Sequence, residues 1–420
     1  ARSAPAATRD PTTSRSTDRR EHLSEIGQQL VSRRRFVVRG TLALGALVLG
    51  CADITTPTPS PTRMPTAKPT STPTTAPTPT PTGLADLRRV VGGLLVVGFR
   101  GKSVTPNDPI LRAIRDLGLG GVILFAGNID SPQQLADLTG ALHAAAAPRR
   151  LIVSVDQEGG VVRRLTPAQG FDAVPSAATV GKKSNAYALN VGRKIGAQLA
   201  AAGINLNFAP VVDLDVNPAN PSIGALGRSY SADPQIVTDR ATATIAGEHE
   251  HDVRTTLKHF PGLGSATGDT DREFVDVTST WNDTELTPYR NLIGAGVVDV
   301  VMTANALNGQ IDTRYPASLS RATIDVLRNQ LGYDGVAITD DLGAGAIKDS
   351  YSADTALRLA INAGNDLLLL ANIDANKAGV AAASIDAIVS QVQAGKITQT
   401  RIASASTRVA ALLSRLNGPA

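Results

Sequence analysis

The 420-residue sequence has a single cysteine, Cys51, and only 3% aromatic residues, with Trp281 as its one tryptophan. One cysteine cannot form an intrachain disulfide, and it excludes a metal site built from several thiolates. The formal net charge is only +4, and the positive excess lies largely in the first forty residues. Because no basic stripe interleaved with aromatic residues occurs in the rest of the chain, the sequence argues against nucleic-acid binding.

The first fifty residues have the features of an export signal. Ser32–Val38 (SRRRFVV) resembles a twin-arginine signal, and an uncharged apolar run follows from Thr41 to Gly50. This run is too short to span a bilayer, which needs about 20 residues, but it fits the apolar region of a signal peptide. It ends in Val48–Cys51 (VLGC), which resembles a lipoprotein processing site. We therefore expect export and a membrane anchor through a lipid on Cys51. The alternative is a buried helix with an incidental cysteine.

Residues 52–82 consist almost entirely of proline, threonine and serine. A segment of this composition cannot bury a core and favours the extended polyproline II conformation. At about 3.1 Å per residue it reaches on the order of 90 Å at most, as a stiff tether or as a disordered spacer. The sequence therefore predicts an export segment at 1–50, a linker at 51–82 and one folded domain at 83–420.

Eight short apolar runs alternate with amphipathic helical stretches after residue 83. Continuous hydrophobicity is typical of parallel strands that are buried on both faces. Eight strand–helix units in about 340 residues predict an α/β fold of the (β/α)8 TIM-barrel class. A doubly wound open sheet is the alternative, but the glycine-rich turn expected after its first strand is absent. The predicted strands are Leu94–Phe99, Gly121–Phe125, Leu151–Val155, Asn205–Val212, Thr255–Phe260, Val297–Met302, Gly335–Thr339 and Asp366–Leu370.

Polar and charged residues follow the ends of five consecutive predicted strands. A TIM barrel carries its active site at this end of its strands. Any single one of these residues could be a solvated or capping side chain, but solvation does not account for the whole set. They belong to Asp156–Gly160, Asp213–Asp215, Lys258–Gly262, Thr303–Asn305 and Asp340–Asp341.

Several motifs resemble those of glycoside hydrolase family 3, in the expected order over essentially the whole barrel. KHFPG is a quite specific match, and the nearest branch is that of the single-domain β-N-acetylglucosaminidases. The motifs are Val155–Leu165 (VDQEGGVVRRL), Asn207–Asp213 (NFAPVVD), Gly227–Tyr230 (GRSY), Lys258–Gly262 (KHFPG) and Gly335–Leu342 (GVAITDDL).

The resemblance implies a retaining exo-β-glycosidase that removes terminal β-linked GlcNAc from cell-wall or chitin-type oligosaccharides, or else a β-glucosidase-type specificity. Asp340 falls on the family's nucleophile, a carboxylate that attacks the anomeric carbon to form a covalent glycosyl-enzyme. Asp341 is expected to support it. No cofactor and no metal ion is implied. Contacts to sugar hydroxyls fall on Asp156, Arg164, Arg228, Lys258 and His259.

The sequence departs from the family at the acid/base residue. The branch carries an Asp-Ser-His element in the loop after strand five, whereas residues 262–271 read GLGSATGDTD and contain no histidine. Counting without gaps, Asp269 falls on the orienting aspartate and Asp271 on the histidine. A carboxyl group ordinarily ionises near pH 4, so Asp271 would need the charge of Asp269 nearby to stay protonated. We therefore expect an acidic pH optimum, with Glu273 as the fallback acid. An ionised Asp271 would also repel phosphate, which predicts hydrolysis without phosphorolysis.

Two other functions stay open on the sequence alone. One is a surface-displayed sugar-binding protein that has lost catalysis, although such a protein has no use for a nucleophile. The other is an unrelated barrel enzyme with His259 as a base. Low aromatic content favours a small exo-type pocket, and Trp281, Tyr230 and Phe260 are candidates either for packing on a sugar face or for the core. The glycan and the oligomeric state stay open.

Overall fold

The computed structural model describes residues 83–416. The predicted export segment 1–50, the predicted lipidation site Cys51 and the linker up to residue 82 lie outside the described residues, as do residues 417–420. Within residues 83–416, no helix is long and apolar enough to cross a membrane.

The described residues form a parallel sheet of eight strands that closes into a barrel. Each strand pairs with its neighbour in the chain, and β1 also pairs with β8. A parallel bridge between Ile338 and Leu367 joins β7 to the start of β8. The predicted TIM barrel is therefore confirmed. The strands are β1 (Leu95–Gly98), β2 (Gly121–Leu124), β3 (Ile152–Val155), β4 (Leu206–Asn207), β5 (Arg254–Phe260), β6 (Val300–Thr303), β7 (Val336–Thr339) and β8 (Leu368–Leu370).

Helices follow the strands and cover the outside of the barrel. Two of them begin with proline in the first turn, where a missing amide hydrogen costs nothing, after a capping side chain. Ser131 Oγ accepts from Gln134 N at 3.2 Å before one, and Asp233 accepts from Gln235 N at 2.8 Å before the other. The helices are α1 (Leu84–Gly92), α2 (Pro109–Asp116), α3 (Pro132–Ala146), α4 (Ala177–Gly181), α5 (Asn185–Ala201), α6 (Pro234–His249), α7 (Thr287–Gly294), α8 (Arg321–Asp325), α9 (Gly345–Lys348), α10 (Ala353–Ala363), α11 (Val380–Gln393) and α12 (Gln399–Leu413).

Strand β4 is shorter than the sequence predicts. Only Leu206–Asn207 of the predicted run Asn205–Val212 forms a continuous ladder. Pro210 has no amide hydrogen, so it cannot donate to a neighbouring strand. Pairing resumes in a single bridge between Val211 and Lys258. This bridge brings the chain after β4 alongside the end of β5, where two of the candidate site residues lie.

Candidate active site

A cavity of about 450 Å³ opens at the carboxyl ends of the strands. It brings together all eight barrel residues that the sequence singles out, although they come from five different strand ends or loops. Their chemical roles stay predictions, because no sugar is bound. The polar residues that line the cavity are Asp156, Glu158, Arg164, Ser222, Arg228, Lys258, His259, Asp269, Thr270, Asp271, Asp340, Asp341 and Asn372.

One side of the cavity is a network of paired charges, which we call the ionic wall: Asp156, Glu158, Arg164, Arg228 and Lys258. Lys258 Nζ lies 2.7 Å from both Asp156 Oδ1 and Glu158 Oε1. Arg228 binds Glu158 through two parallel hydrogen bonds of 2.8 Å, and Arg164 Nη2 donates to Asp156 Oδ2 at 3.2 Å. Each carboxylate of the wall thus holds two cationic side chains.

The ionic wall keeps its groups charged although they are largely buried. Burial alone would raise the pKa of Glu158, but Arg228 and Lys258 hold it well below its ordinary value. In the same way, Lys258 and Arg164 lower the pKa of Asp156 against the effect of burial. Fixed, fully charged donors and acceptors suit a ligand whose hydroxyls both donate and accept hydrogen bonds.

His259 is fixed by a buried aspartate that the sequence argument left without a role. Asp213 Oδ2 is 2.7 Å from His259 Nδ1, and the same carboxylate accepts the amide hydrogen of His259 at 3.1 Å. Asp213 Oδ1 also accepts from Leu263 N at 2.8 Å. The peptide bond between Lys258 and His259 is cis, and both side chains line the cavity. The ring of His259 therefore has a defined orientation, with its Nδ1 engaged by Asp213.

Asp340 directly follows β7 and lines the cavity. Its amide continues the sheet by donating to Thr303 O at 2.9 Å, and its Oδ1 accepts from Asp341 N at 2.8 Å. Burial raises the pKa of Asp340 to about 6, with His259 acting to lower it and Asp271 acting to raise it. Asp340 is thus a carboxylate with one hydrogen bond, held near a histidine and a second carboxylate.

Asp341 holds the loops around its neighbour. Its Oδ1 accepts from the amides of Gly343 at 3.0 Å and Ala371 at 2.8 Å, and its Oδ2 accepts from Asn372 Nδ2 at 2.5 Å. These bonds join the end of β7 to the end of β8. They agree with the supporting role that the sequence predicts for Asp341.

Asp269 and Asp271 lie in the loop after β5, at the mouth of the cavity. Asp269 Oδ1 accepts from the amide of Asp271 and from the hydroxyl of Ser222, both at 3.1 Å. Its Oδ2 lies 3.3 Å from Arg272 Nε. Asp269 therefore positions the backbone of Asp271. Counting residues in the sequence does not predict this contact.

Asp271 is exposed, and its carboxylate has no hydrogen-bond donor among the described residues. Its backbone is fixed, because Gly345 N donates to Asp271 O at 2.9 Å. The carboxylate lies close enough to Asp340 to raise the pKa of that group. Glu273, the predicted fallback acid, is exposed and does not line the cavity. Asp271 is therefore better placed than Glu273 to act on a bound ligand.

The three aromatic candidates for a sugar face lie in the core. Phe260 is 0% exposed and packs edge-on against Tyr289, with ring centroids 5.1 Å apart. Trp281 donates from Nε1 to Pro261 O at 3.1 Å, and Tyr230 donates to Thr244 Oγ1 at 3.2 Å. The aromatic side chain that lines the cavity is instead Phe125, with the guanidinium carbon of Arg164 5.3 Å from its ring centre.

The sequence assigned no individual role to Glu158 or Asp213, although both lie in the polar runs that follow the predicted strands. Glu158 stands two residues after Asp156, and alternate residues of an extended chain point the same way, so the spacing could have found it. Asp213 meets His259 across 46 positions of sequence, and no local signal predicts that contact. Among residues 83–416, no group of three His, Cys, Asp or Glu side chains is arranged to hold a metal ion.

The geometry of the barrel and cavity agrees with the family that the sequence resembles. Residues 86–412 match the family model described as the glycosyl hydrolase family 3 N-terminal domain. The chain therefore belongs to glycosyl hydrolase family 3, and the predicted enzyme class, a glycoside hydrolase, is confirmed.

Similar proteins carry more particular names. The chain is 31% identical over 372 residues to beta-hexosaminidase A of Pseudoalteromonas piscicida, covering 78% of this chain and 61% of that protein. It is 34% identical to an uncharacterized secreted glycosyl hydrolase of Arthroderma benhamiae, covering 75% of this chain and 90% of that protein. A family 3 beta-N-acetylglucosaminidase structure from Paenibacillus sp. str. FPU-7 superposes with a TM-score of 0.73 at 35% identity, over 78% of this chain and 62% of that one. The chain thus spans less than two thirds of two of these proteins.

Proposed function

We propose that the chain is a retaining exo-β-N-acetylglucosaminidase, which hydrolyses terminal β-linked GlcNAc from cell-wall or chitin-type oligosaccharides. The observation that carries this proposal is the position of Asp340, which lines the same cavity of about 450 Å³ as the ionic wall. The hexosaminidase and N-acetylglucosaminidase names of similar proteins support the choice of sugar. The low aromatic content of the chain, 3%, supports attack at a chain end, because no row of aromatic side chains is available to line a long groove.

In the proposed reaction, the Asp340 carboxylate attacks the anomeric carbon while Asp271 donates a proton to the leaving oxygen. The glycosidic bond breaks, and a covalent glycosyl–Asp340 ester forms. Asp271, now ionised, takes a proton from water, which attacks the same carbon and releases Asp340. Burial raises the pKa of Asp340 to about 6, and the nearby Asp271 carboxylate adds to this rise against the opposing effect of His259.

The nucleophile is tested with the Asp340→Gly variant on nitrophenyl β-GlcNAc and nitrophenyl β-glucoside. We expect the rate to fall by a factor on the order of 10⁴ or more. Azide added to this variant occupies the vacated space and should form the α-glycosyl azide, with inverted configuration. Asp349→Asn, an exposed carboxylate away from the cavity, is the matched control. Unchanged turnover in Asp340→Gly would reject the proposed mechanism.

The alternative of a sugar-binding protein without catalysis is separated by Asp340→Asn. A binding protein keeps its affinity for GlcNAc oligosaccharides and has no turnover to lose, whereas the proposed enzyme loses turnover. Faster hydrolysis of the β-glucoside than of β-GlcNAc by the wild-type protein would favour the β-glucosidase-type specificity instead.

The acid/base assignment has its own test, Asp271→Ala. General acid–base groups contribute about 10²- to 10⁴-fold to the rate. The rate of hydrolysis of glycosides with poor leaving groups should therefore fall by that factor. Azide should restore turnover and give the β-glycosyl azide, the opposite configuration to that from Asp340→Gly. The same variant series with His259→Asn identifies the rival acid, because only the true acid/base variant is rescued in this way. Formation of sugar 1-phosphate in phosphate buffer would contradict the predicted absence of phosphorolysis.

We further propose that residues 1–50 export the protein and that a lipid on Cys51 anchors it to the outer face of the membrane. The relative from Arthroderma benhamiae is described as secreted, which supports export and says nothing of an anchor. In a bacterial host with lipoprotein processing, wild-type protein should incorporate labelled palmitate and sediment with membranes. Cys51→Ser should do neither, and equal sedimentation of both would reject the anchor.

A further inference from the structure

A buried carboxyl group outside the cavity contacts the first residues of the loop that carries Asp271. Glu285, just before α7, is 0% exposed, and its Oε2 accepts from Gly264 N at 2.9 Å. Its side chain packs against Gly262, where an added Cβ would lie 2.6 Å from the Glu285 Cβ. Gly262 has a φ of 126°, which favours glycine. The turn and Glu285 therefore fit each other closely.

The turn is held by two carboxyl groups on consecutive amides. Asp213 Oδ1 accepts from Leu263 N at 2.8 Å, and Glu285 accepts from the next amide, that of Gly264. Asp213 is also the partner of His259. The orientation of His259 and the start of the catalytic loop consequently depend on one small buried cluster.

The rest of this cluster is polar as well as buried. Ser265 and Tyr289 lie beside Glu285, and Tyr289 Oη has no hydrogen-bond partner among the described residues. Burial raises the pKa of Glu285 to about 7, with a hydrogen bond from the Ser265 side chain acting to lower it and the Asp213 carboxylate acting to raise it. Because burying a carboxyl group is costly, an apolar side chain would serve stability better. Buried carboxyl groups with perturbed pKa values cluster at functional sites.

We propose that Glu285 is a positioning residue: by holding the turn Gly262–Gly264 it sets the place of Asp271 against the leaving group. This inference rests on the proposed function. Glu285 does not line the cavity, so it acts through the loop and not on the sugar. The groups that face it are Asp213 from the segment after β4, Ser265 from the loop and Tyr289 from α7.

The test compares two aryl β-GlcNAc substrates, phenyl and 2,4-dinitrophenyl. The phenolate of the first is a poor leaving group that needs a proton from the acid, whereas dinitrophenolate leaves without one. Glu285→Ala removes the acceptor, Glu285→Leu removes it while filling the space, and Glu285→Gln keeps an acceptor for Gly264 N. Asp283 and Glu285 share a short 3-10 helix, Asp283–Leu286, and the Asp283 carboxylate is exposed. Asp283→Asn is therefore the matched control.

A displaced acid should slow only the reaction that needs it. We expect kcat on the phenyl glycoside to fall about 100-fold in Glu285→Ala and Glu285→Leu, with a fall below about threefold on the dinitrophenyl glycoside. Glu285→Gln and Asp283→Asn should stay near wild type on both. Equal falls on the two substrates, or failure of both acceptor-free variants to fold, would overturn the proposal in favour of a structural role. A wild-type protein inactive on both substrates would instead reject the proposed function, and this inference with it.

Discussion

Two groups of charged residues in the cavity differ in how they are partnered. In the ionic wall, Glu158 receives three hydrogen bonds or ion pairs from Arg228 and Lys258. Outside the wall, Asp340 receives one hydrogen bond from a backbone amide, and the Asp271 carboxylate receives none from the described residues. We call Asp340 and Asp271 the reacting pair. The two carboxylates of the wall are paired with its three cationic side chains, whereas the two carboxylates of the reacting pair repel each other.

The difference between the ionic wall and the reacting pair matches the roles that are proposed for them. A sugar-binding group must keep one charge and one position, and opposite charges at 2.7–2.8 Å secure both. A nucleophile and an acid must change their protonation or bonding during each turnover, so strong partners would only stabilise the starting state. The pKa values move in opposite directions accordingly: below the ordinary value for Glu158, and up to about 6 for Asp340.

The largest effect is expected from breaking the wall with Glu158→Gln. Removing one partner of a buried pair costs about 3–5 kcal/mol, because the remaining charges stay buried without compensation. The control is Glu250→Gln, since Glu250 binds Arg193 with the same two-bond geometry at 2.7 and 2.8 Å. Its pair is about half exposed, at 45% and 46%, and should contribute much less because water screens the two charges. Urea unfolding at pH 7 measures the free energy of unfolding of both variants. Equal losses in Glu158→Gln and Glu250→Gln would mean that the buried wall contributes no more than an exposed ion pair.

A smaller effect is expected in the pH dependence of the reacting pair, measured as kcat/KM. Asp340 must be ionised to attack, so kcat/KM should fall about tenfold per pH unit below pH 6. This places the acidic optimum predicted from Asp271 near or just above pH 6. Because the Asp271 charge raises the pKa of Asp340, Asp271→Asn should move this acidic limb to lower pH, measured on a dinitrophenyl glycoside. Asp349→Asn should leave the acidic limb in place. An unmoved limb in Asp271→Asn would mean that the charge of Asp271 does not act on Asp340.

The same comparison explains what the sequence could predict. The barrel follows from continuous apolar runs, since a strand buried on both faces carries that pattern locally. Asp340 and Asp156 were found because they directly follow such runs. The core positions of Trp281 and Phe260 depend on packing between distant segments, which no local pattern records. The shortening of β4 instead follows from Pro210, which the sequence already shows within the predicted strand.

The wall and the pair also differ in predictability. Asp156, Lys258 and Arg228 belong to motifs that resemble a known family, so their places were predicted together. The loop after β5 departs from that pattern, and Asp271 was reached only by counting residues. Its carbonyl accepts from Gly345 N and its amide donates to the Asp269 carboxylate, and both contacts come from the folded loop. Glu285, which helps to hold the start of that loop, carried no signal of its own, and Asp213 was predicted only as one of the polar residues that follow the fourth strand.

The smallest effect is a gain of stability when the reacting pair is relieved of a charge. The pKa of Asp340 is raised by burial to about 6 in the folded protein, above its ordinary value of 3.8. Below the ordinary value the group is protonated in both states, and it makes no difference to stability. Between pH 3.8 and about 6 the unfolded chain has lost this proton while the folded protein keeps it, so stability falls across that interval. The loss is complete above about pH 6 and amounts to about 1–3 kcal/mol for a difference of about 2 in pKa. Asp340→Asn keeps an acceptor for Asp341 N without the charge, so its free energy of unfolding should exceed that of the wild-type protein at pH 7.5 and equal it near pH 3.5. A variant that is less stable at both pH values would mean that the carboxylate of the reacting pair supports the fold.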